Sequence, residues 1–287
     1  MSRVGAVQLD ALALALSERD WQVLSALASH RLMSTDQQRR LVFTGYDSGQ
    51  VAERMAQLSL KRLHAQVGAI AHLERRIGGV RAGSGSFVWH LTSVGRRLLG
   101  TDFAPSGLVD RTGTDRLPKV AVVEPSLRTV RHSLAVSEVA VRLSEAGSAG
   151  KLEVLTLEPE PLCWRNYLGV GGERLSLKPD LFAITATTGS QWQDHWFVEV
   201  DMATESLATI RRKSAAYQAY YRSGREQTER GVFPRVLWLT PDENRAEAIT
   251  EALRNGHGGG LHLSTPVDDL IKVVTDDDTK ESRGGLT

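Results

Sequence analysis

The chain has a single cysteine in 287 residues, Cys163, which excludes an internal disulfide and leaves no thiolate cluster for zinc; packing is its expected role. No apolar run is long enough to span a bilayer, and the first residues lack the charged and apolar pattern of a signal peptide. A cytoplasmic location without a membrane partner is therefore expected. No internal repeat is present. The net charge of +1 points to no class of partner, and 41% hydrophobic with 24% charged residues is the composition of a soluble globular chain.

That average hides a division. Across residues 48–100 the bases Arg54, Lys61, Arg62, Arg75, Arg76, Arg81, Arg96 and Arg97 stand against the acids Glu53 and Glu74. Near its C-terminal end lies the acidic stretch Asp276, Asp277, Asp278. A basic module joined to a neutral or acidic one implies two tasks.

SERDWQVLSALASH, from Ser17 to His30, offers an N-cap serine, acids in the first turn, and Trp21, Leu24, Leu27 and Ala28 at helical spacing. A second helix is expected from Ser34-Thr35-Asp36 to a stop at Gly45. A third runs from about Gln50 to His64, with Val51, Met55, Leu58 and Leu63 as its packing positions. The period then changes to two strands, VGAIAHLERRI and FVWHLT, around the glycine-rich GGVRAGSGS, and SVGRRLLG closes as a short helix. Helix, helix, helix, strand, loop, strand, helix is the order of a winged helix-turn-helix over residues 1–100. In that arrangement the third helix enters the major groove, which would present Gln50, Arg54, Gln57, Lys61 and Arg62 to double-stranded DNA, with Arg75, Arg76 and Arg81 on the wing. The bland reading makes the same bases a solvated face on a dimerisation module.

Residues 101–119 mix Pro, Gly, Thr and charge without a period and read as a linker. From 120 to 274 helices flank strands in a mixed sheet: a helix over about 126–146, strands KLEVLTLEPE, LSLKPDLFAITAT and HWFVEVD, a helix, the strand FPRVLWLTP and a last helix. The fold class is thus two-domain, α+β followed by mixed α/β. Residues 275–287 are expected to form a disordered tail.

HWFVEVD is a strand suited to a sheet interior that ends in acid. Glu199 and Asp201 are two apart and share a face, and two carboxylates side by side repel unless something neutralises them. Asp180 follows Pro179 at the start of the preceding strand; with the two strands paired through TTGSQWQD, three carboxylates converge at one edge as ligands for Mg²⁺ or Mn²⁺.

Pro179-Asp180 followed by Glu199-x-Asp201, with a helix on either side, resembles the PD-(D/E)XK nuclease superfamily over about residues 120–255. The resemblance implies catalytic roles for Asp180, Glu199 and Asp201. One departure is that Asp201 stands where the superfamily pattern has lysine; Lys213 on the next helix is the candidate replacement, with Tyr217 one turn on, and Lys178 is a weaker one. Glu138 matches the acid that such nucleases donate from their first core helix, or else pairs with Arg142. The stretches LTSVGRRLL, RHSLAVSEVAV, KPDLFAI and VEVDMATES together resemble the replication-relaxation family, related to conjugative relaxases of nuclease type.

By that resemblance the chain binds origin DNA of a plasmid or mobile element and nicks it hydrolytically, alongside other transfer or replication proteins. The alternative is a catalytically inactive winged-helix regulator or scaffold of plasmid replication. A covalent tyrosine relaxase is a further rival, since Tyr217 and Tyr221 are one turn apart, but the eight histidines include no His-x-His pair to hold its metal.

Overall fold

In the computed structural model, residues 4–74, 86–105, 125–254 and 259–276 are described, and the chain divides into two units, Met1–Val141 and Arg142–Thr287. The division falls inside a long helix; of the expected linker 101–119, residues 106–119 lie outside the described residues.

The first unit begins with a helix that has no strong sequence signal, α1 (Ala6–Leu14). Helix α2 (Glu18–His30) starts in a capping box: Ser17 Oγ accepts from the Asp20 N–H, and the Asp20 carboxylate accepts from the Ser17 N–H at 2.8 Å. Ser34 does the same with Gln37 for α3 (Thr35–Val42), and α4 (Gly49–Arg62) follows. A three-stranded sheet then forms in the order β1-β3-β2, from Met33–Ser34, Val88–Leu91 and Ile70–His72, and α5 (Ser93–Leu99) closes it. Gly95 in α5 is required, because a Cβ there would lie 2.2 Å from the Ala69 carbonyl oxygen.

The expected packing stripe of α4 is corrected in three of its four members. Val51, Met55 and Leu58 are exposed, and the helix instead buries Ala52, Ala56 and Leu60, with Leu63 just beyond it. Small alanines let α4 approach its neighbours closely, and that choice outweighs the larger apolar residues one position away.

The second unit takes the remainder of α6 (Leu127–Ser148) and a five-stranded sheet ordered β10-β9-β8-β7-β4: His262–Pro266, Arg235–Thr240, Asp194–Val200, Leu181–Ala186 and Glu153–Pro159. β7 pairs antiparallel with both β4 and β8, whereas β8–β9 and β9–β10 are parallel. A parallel pair needs a crossover. Helix α7 (Leu207–Arg222), followed by α8 (Arg225–Arg230), supplies the first, and α9 (Glu243–Arg254) the second; α10 (Leu270–Thr275) ends the described chain. The stretch expected as one strand from Leu175 to Thr187 is two: β6 (Arg174–Leu177), paired with β5 (Arg165–Leu168) in a separate ribbon, and then β7. Pro179 separates them.

Phe182, Ile184, Phe197, Val236 and Trp238 project from one sheet face against Ile210, Tyr217 and Tyr220 of α7 and Ile249 and Leu253 of α9. Residues on the opposite face, such as Trp196 and Leu237, are buried too, which accounts for the continuous apolar run of β8. Cys163 packs in this core, its Sγ–H donating to the Pro179 carbonyl at 2.9 Å, and burial pushes the thiol well up. Among the described residues no helix is long and apolar enough to cross a membrane.

His30 closes α2 as a buried imidazole whose Nδ1 has no hydrogen-bond partner, and burial lowers its pKa to about 4. Above pH 6.5 it is neutral whether folded or unfolded; as the pH falls from 6.5 towards 4 only the unfolded form gains the proton, so stability is lost across that window. At about 1.4 kcal/mol per unit the loss approaches ~3 kcal/mol. Urea titrations at pH 7.5 and 4.5 are expected to show a smaller difference for His30→Leu than for wild type; equal differences would remove His30 as the cause.

Candidate functional site

Antiparallel pairing of β7 and β8 sets Leu181 opposite Val198, so one step further along the ladder places Asp180 opposite Glu199 on the same face. The Asp180 N–H donates to the Val198 carbonyl at 3.1 Å, and its Oδ2 accepts from the Val200 N–H at 2.7 Å. Asp180 and Glu199 are 6% and 2% exposed, so both carboxylates are out of bulk water. This edge is also the C-terminal end of the parallel strand β8, where open α/β sheets place their ligands.

Helix α7 answers the charge. Lys213 Nζ donates to Glu199 Oε2 at 2.9 Å and approaches Glu205 at 3.2 Å, while the Tyr217 hydroxyl donates to Glu199 Oε1 at 2.6 Å. The i, i+4 spacing puts both donors on one helical face. Burial, and next the charge of Asp180, push Glu199 up to about 7, with Lys213 and Tyr217 pulling it back. Burial disfavours the Lys213 ammonium, but Glu199 and Asp180 outweigh it and hold the lysine charged.

Asp201 does not join this group. Its Oδ2 accepts from Arg245 Nε of α9 at 2.5 Å, its N–H donates to the Leu239 carbonyl, and among the described residues its Oδ1 has no hydrogen-bond partner. Arg245 also donates to the Glu205 carbonyl at 2.7 Å, which ties the turn after β8 to α9. Ala203 in that turn has φ 55°, a left-handed conformation that reverses the chain towards Ser206, the N-cap of α7. No set of three His, Cys, Asp or Glu side chains able to hold a metal is formed among the described residues. Asp180 and Glu199 are the two carboxylates that face each other at this edge; Mg²⁺ is commonly held by one or two carboxylates with waters and substrate phosphates.

Glu138 lies in the first unit, where it accepts from Arg40 at 2.7 Å and from Gln37 at 3.1 Å. The guanidinium of Arg142, one turn on, donates to Asp268 and to the Val267 carbonyl. Tyr217 is buried and, through burial and then Glu199, its phenol is pushed well up, the reverse of what a nucleophile needs. Tyr221 packs on Phe233 instead.

On α4, Gln50, Arg54, Gln57 and Lys61 are all exposed. Gln50, Gln57 and Lys61, with Glu53, border a groove of about 1130 Å³ whose far wall includes His72, Phe87 and Trp89. Arg62 is turned away: its guanidinium holds the buried Asp20, which also accepts from Ser59 at 3.1 Å. Burial acts to raise the Asp20 pKa, but hydrogen bonds from Ser17 and the Arg62 charge lower it. Arg62 is therefore an anchor between α4 and α2 rather than a group offered to DNA. Arg75, Arg76 and Arg81 lie outside the described residues.

The profile of the family described as Replication-relaxation matches residues 24–236, well over half of the chain. The chain belongs to the replication-relaxation family. Membership suggests a role in plasmid replication. No curated protein and no solved structure matches it.

Two features of this replication-relaxation chain escaped the sequence reading. Arg245, the cation that takes Asp201, had no motif to mark it. A Ser214–His262 pair at 2.8 Å resembles a nucleophile and its base, yet Trp238 Nε1–H donates to His262 Nδ1, so the proton on Nε2 points at Ser214 and the imidazole cannot take one from it. Burial lowers His262 to about 4, in keeping with a neutral core role.

Arg245→Ala leaves Asp201 a buried, unpaired charge, and a loss of about 3 kcal/mol in unfolding free energy is expected by chemical denaturation. On an Asp201→Asn background the same substitution should cost much less. Equal costs on both backgrounds would show that the pair is not coupled.

Proposed function

We propose that the chain is a two-part DNA-processing protein: a winged-helix unit binds double-stranded origin DNA of a plasmid or mobile element, and a PD-(D/E)XK-like unit nicks one strand by metal-dependent hydrolysis. The observation that carries this reading is Asp180 set opposite Glu199, with Lys213 delivered onto Glu199 from the next helix. The order helix, three antiparallel strands, helix, parallel strand agrees with it.

Asp180 and Glu199 would hold Mg²⁺ or Mn²⁺, which supplies Lewis acidity towards a phosphate and lowers the pKa of a bound water. Tyr217 keeps Glu199 oriented through its short hydrogen bond. Lys213, charged and on a flexible stem, can leave Glu199 for the water or the phosphate once the acid charge is otherwise compensated, which restores from a helix the cation that the strand lacks at Asp201. Asp201 stands outside this pair, and positions the turn through Arg245. On α4 the surface-exposed Gln50, Arg54, Gln57 and Lys61 are the groups offered to DNA. Transfer or replication proteins are the further partners implied by this role, and the cytoplasm its setting.

A second reading has one observation in its favour. Both Glu199 oxygens are already hydrogen-bonded and the Asp201 charge is met by Arg245, so these two acids have partners without a metal, as in an inactive regulator or scaffold.

The deciding experiment incubates full-length protein and supercoiled plasmid bearing its cognate origin with Mg²⁺ or Mn²⁺, against EDTA. Wild type is expected to nick; Asp180→Ala/Glu199→Ala should abolish nicking, and Lys213→Met should slow it by about 10²-fold or more. Arg54→Ala/Lys61→Ala should weaken duplex binding and reduce its salt slope by roughly 0.9 for each phosphate no longer neutralised. DNA binding without nicking under either metal would favour the regulator.

A further inference from the structure

The β5–β6 ribbon leaves the second unit's sheet after β4 and returns at Lys178, two residues before Asp180. Its side chains alternate. Tyr167, Leu175 and Leu177 face inward, with the Tyr167 ring 5.0 Å from that of Tyr220, and Arg165 lies over the Phe182 ring at 4.7 Å and pairs with Glu158 at 3.1 Å. The bond from Cys163 to the Pro179 carbonyl closes the base of the ribbon. The ribbon is thus fixed to the sheet beside the acid pair.

Its outer face has a different composition. Leu168 pairs with Arg174 and Asn166 with Ser176, and the next step of the ladder brings Trp164 beside Lys178, whose Nζ is 4.6 Å from the indole centroid. All six are exposed, Leu168 by 63% and Trp164 by 36%, and none is acidic. An aromatic ring and two cations along this face, with the ribbon's one carboxylate, Glu173, at its tip against Gly169, match a polyanion that also carries flat apolar faces. Two residues of extended chain separate Lys178 from Asp180 by at most about 7 Å between Cα atoms. The Trp164–Lys178 end of the ribbon thus joins the chain directly before Asp180.

We propose that this outer face binds the single-stranded DNA next to the cleaved phosphate, with an unpaired base stacked on Trp164 and backbone phosphates on Lys178 and Arg174. The identity of the ligand rests on the strand-cutting reading above. Single-stranded rather than duplex DNA is assigned because a base must be unstacked to show its face to an indole, and such stacking is worth about 1–3 kcal/mol per base. Lys178 shields the ring by a cation–π contact and is long enough to move to a phosphate when a base arrives. The ribbon would then hold a melted strand in place for the acids, while α4 holds the duplex.

The test is made in EDTA, so that binding is read without cleavage. Full-length protein is titrated into a short fluorescein-labelled single strand, and separately into the same sequence as duplex, with anisotropy as the signal. Trp164→Ala is expected to weaken single-strand binding about tenfold or more, Trp164→Phe to retain most of it, and Lys178→Gln to lower the salt slope by about 0.7. Duplex binding should be unchanged in all three, whereas Arg54→Ala/Lys61→Ala should do the reverse. Single-strand binding as tight in Trp164→Ala and Lys178→Gln as in wild type, or absent from wild type, overturns the proposal and leaves the face to a protein partner. A wild type that never nicks, but loses single-strand binding with Trp164→Ala, rejects the cutting reading and retains this one.

Discussion

Three carboxylates buried at one edge of a sheet impose the constraint that organises the second unit. Asp180, Glu199 and Asp201 are each at most 6% exposed, and a buried carboxylate is tolerable only with a partner of opposite charge or strong donors. The chain meets this with two cations from two crossover helices. Lys213 on α7 takes Glu199, and Arg245 on α9 takes Asp201. Because each helix lies between parallel strands, the ion pairs also fix where the crossovers dock. Tertiary structure and site chemistry therefore share the same bonds.

The two cations are not equivalent. A guanidinium stays charged and binds in a fixed fork, so Arg245, which also holds the Glu205 carbonyl, is a permanent strut. An ammonium on a four-carbon stem can exchange partners, and Lys213 already sits between Glu199 and Glu205. Of the three acids, the one closed by arginine is held by a fixed fork, and the one met by lysine is held by a group that can exchange partners. A similar division appears in the first unit, where Arg62 is spent on the buried Asp20 and the neighbouring Lys61 is left at the surface.

The sequence was most readable where a physical rule acts locally. Ser17 and Ser34 announce their helices because a cap needs only four residues. The pairing of Asp180 with Glu199 was also legible, since a short polar turn between two apolar runs favours neighbours in the sheet; helical spacing gave the shared face of Lys213 and Tyr217, while the family resemblance pointed to Lys213 itself. Long-range pairings were not readable. Nothing near Asp201 signals Arg245, more than forty residues away, and Glu138 carries no mark of its bonds to Arg40 and Gln37. The stripe of α4 misled for another reason: hydrophobicity ranks Val51 and Leu58 above Ala52 and Ala56, but close helix packing selects small residues. The separate β5–β6 ribbon was hidden because its strands are short and half polar.

On the proposed reading, that ribbon bears on the order of events at an origin. A protein that only held duplex would need no exposed indole beside its acids, and one that only cut would need no exposed basic helix in its other unit. Duplex binding depends on phosphates and is screened by salt, whereas stacking on an aromatic ring is much less so. Both holds use phosphates and both weaken as ionic strength rises; only the stacked base on Trp164 escapes the screening. On the proposed reading the ribbon's hold has two parts, phosphates on Lys178 and Arg174 that salt screens and a base on Trp164 that it does not, so at high salt the strand would be held mainly by stacking.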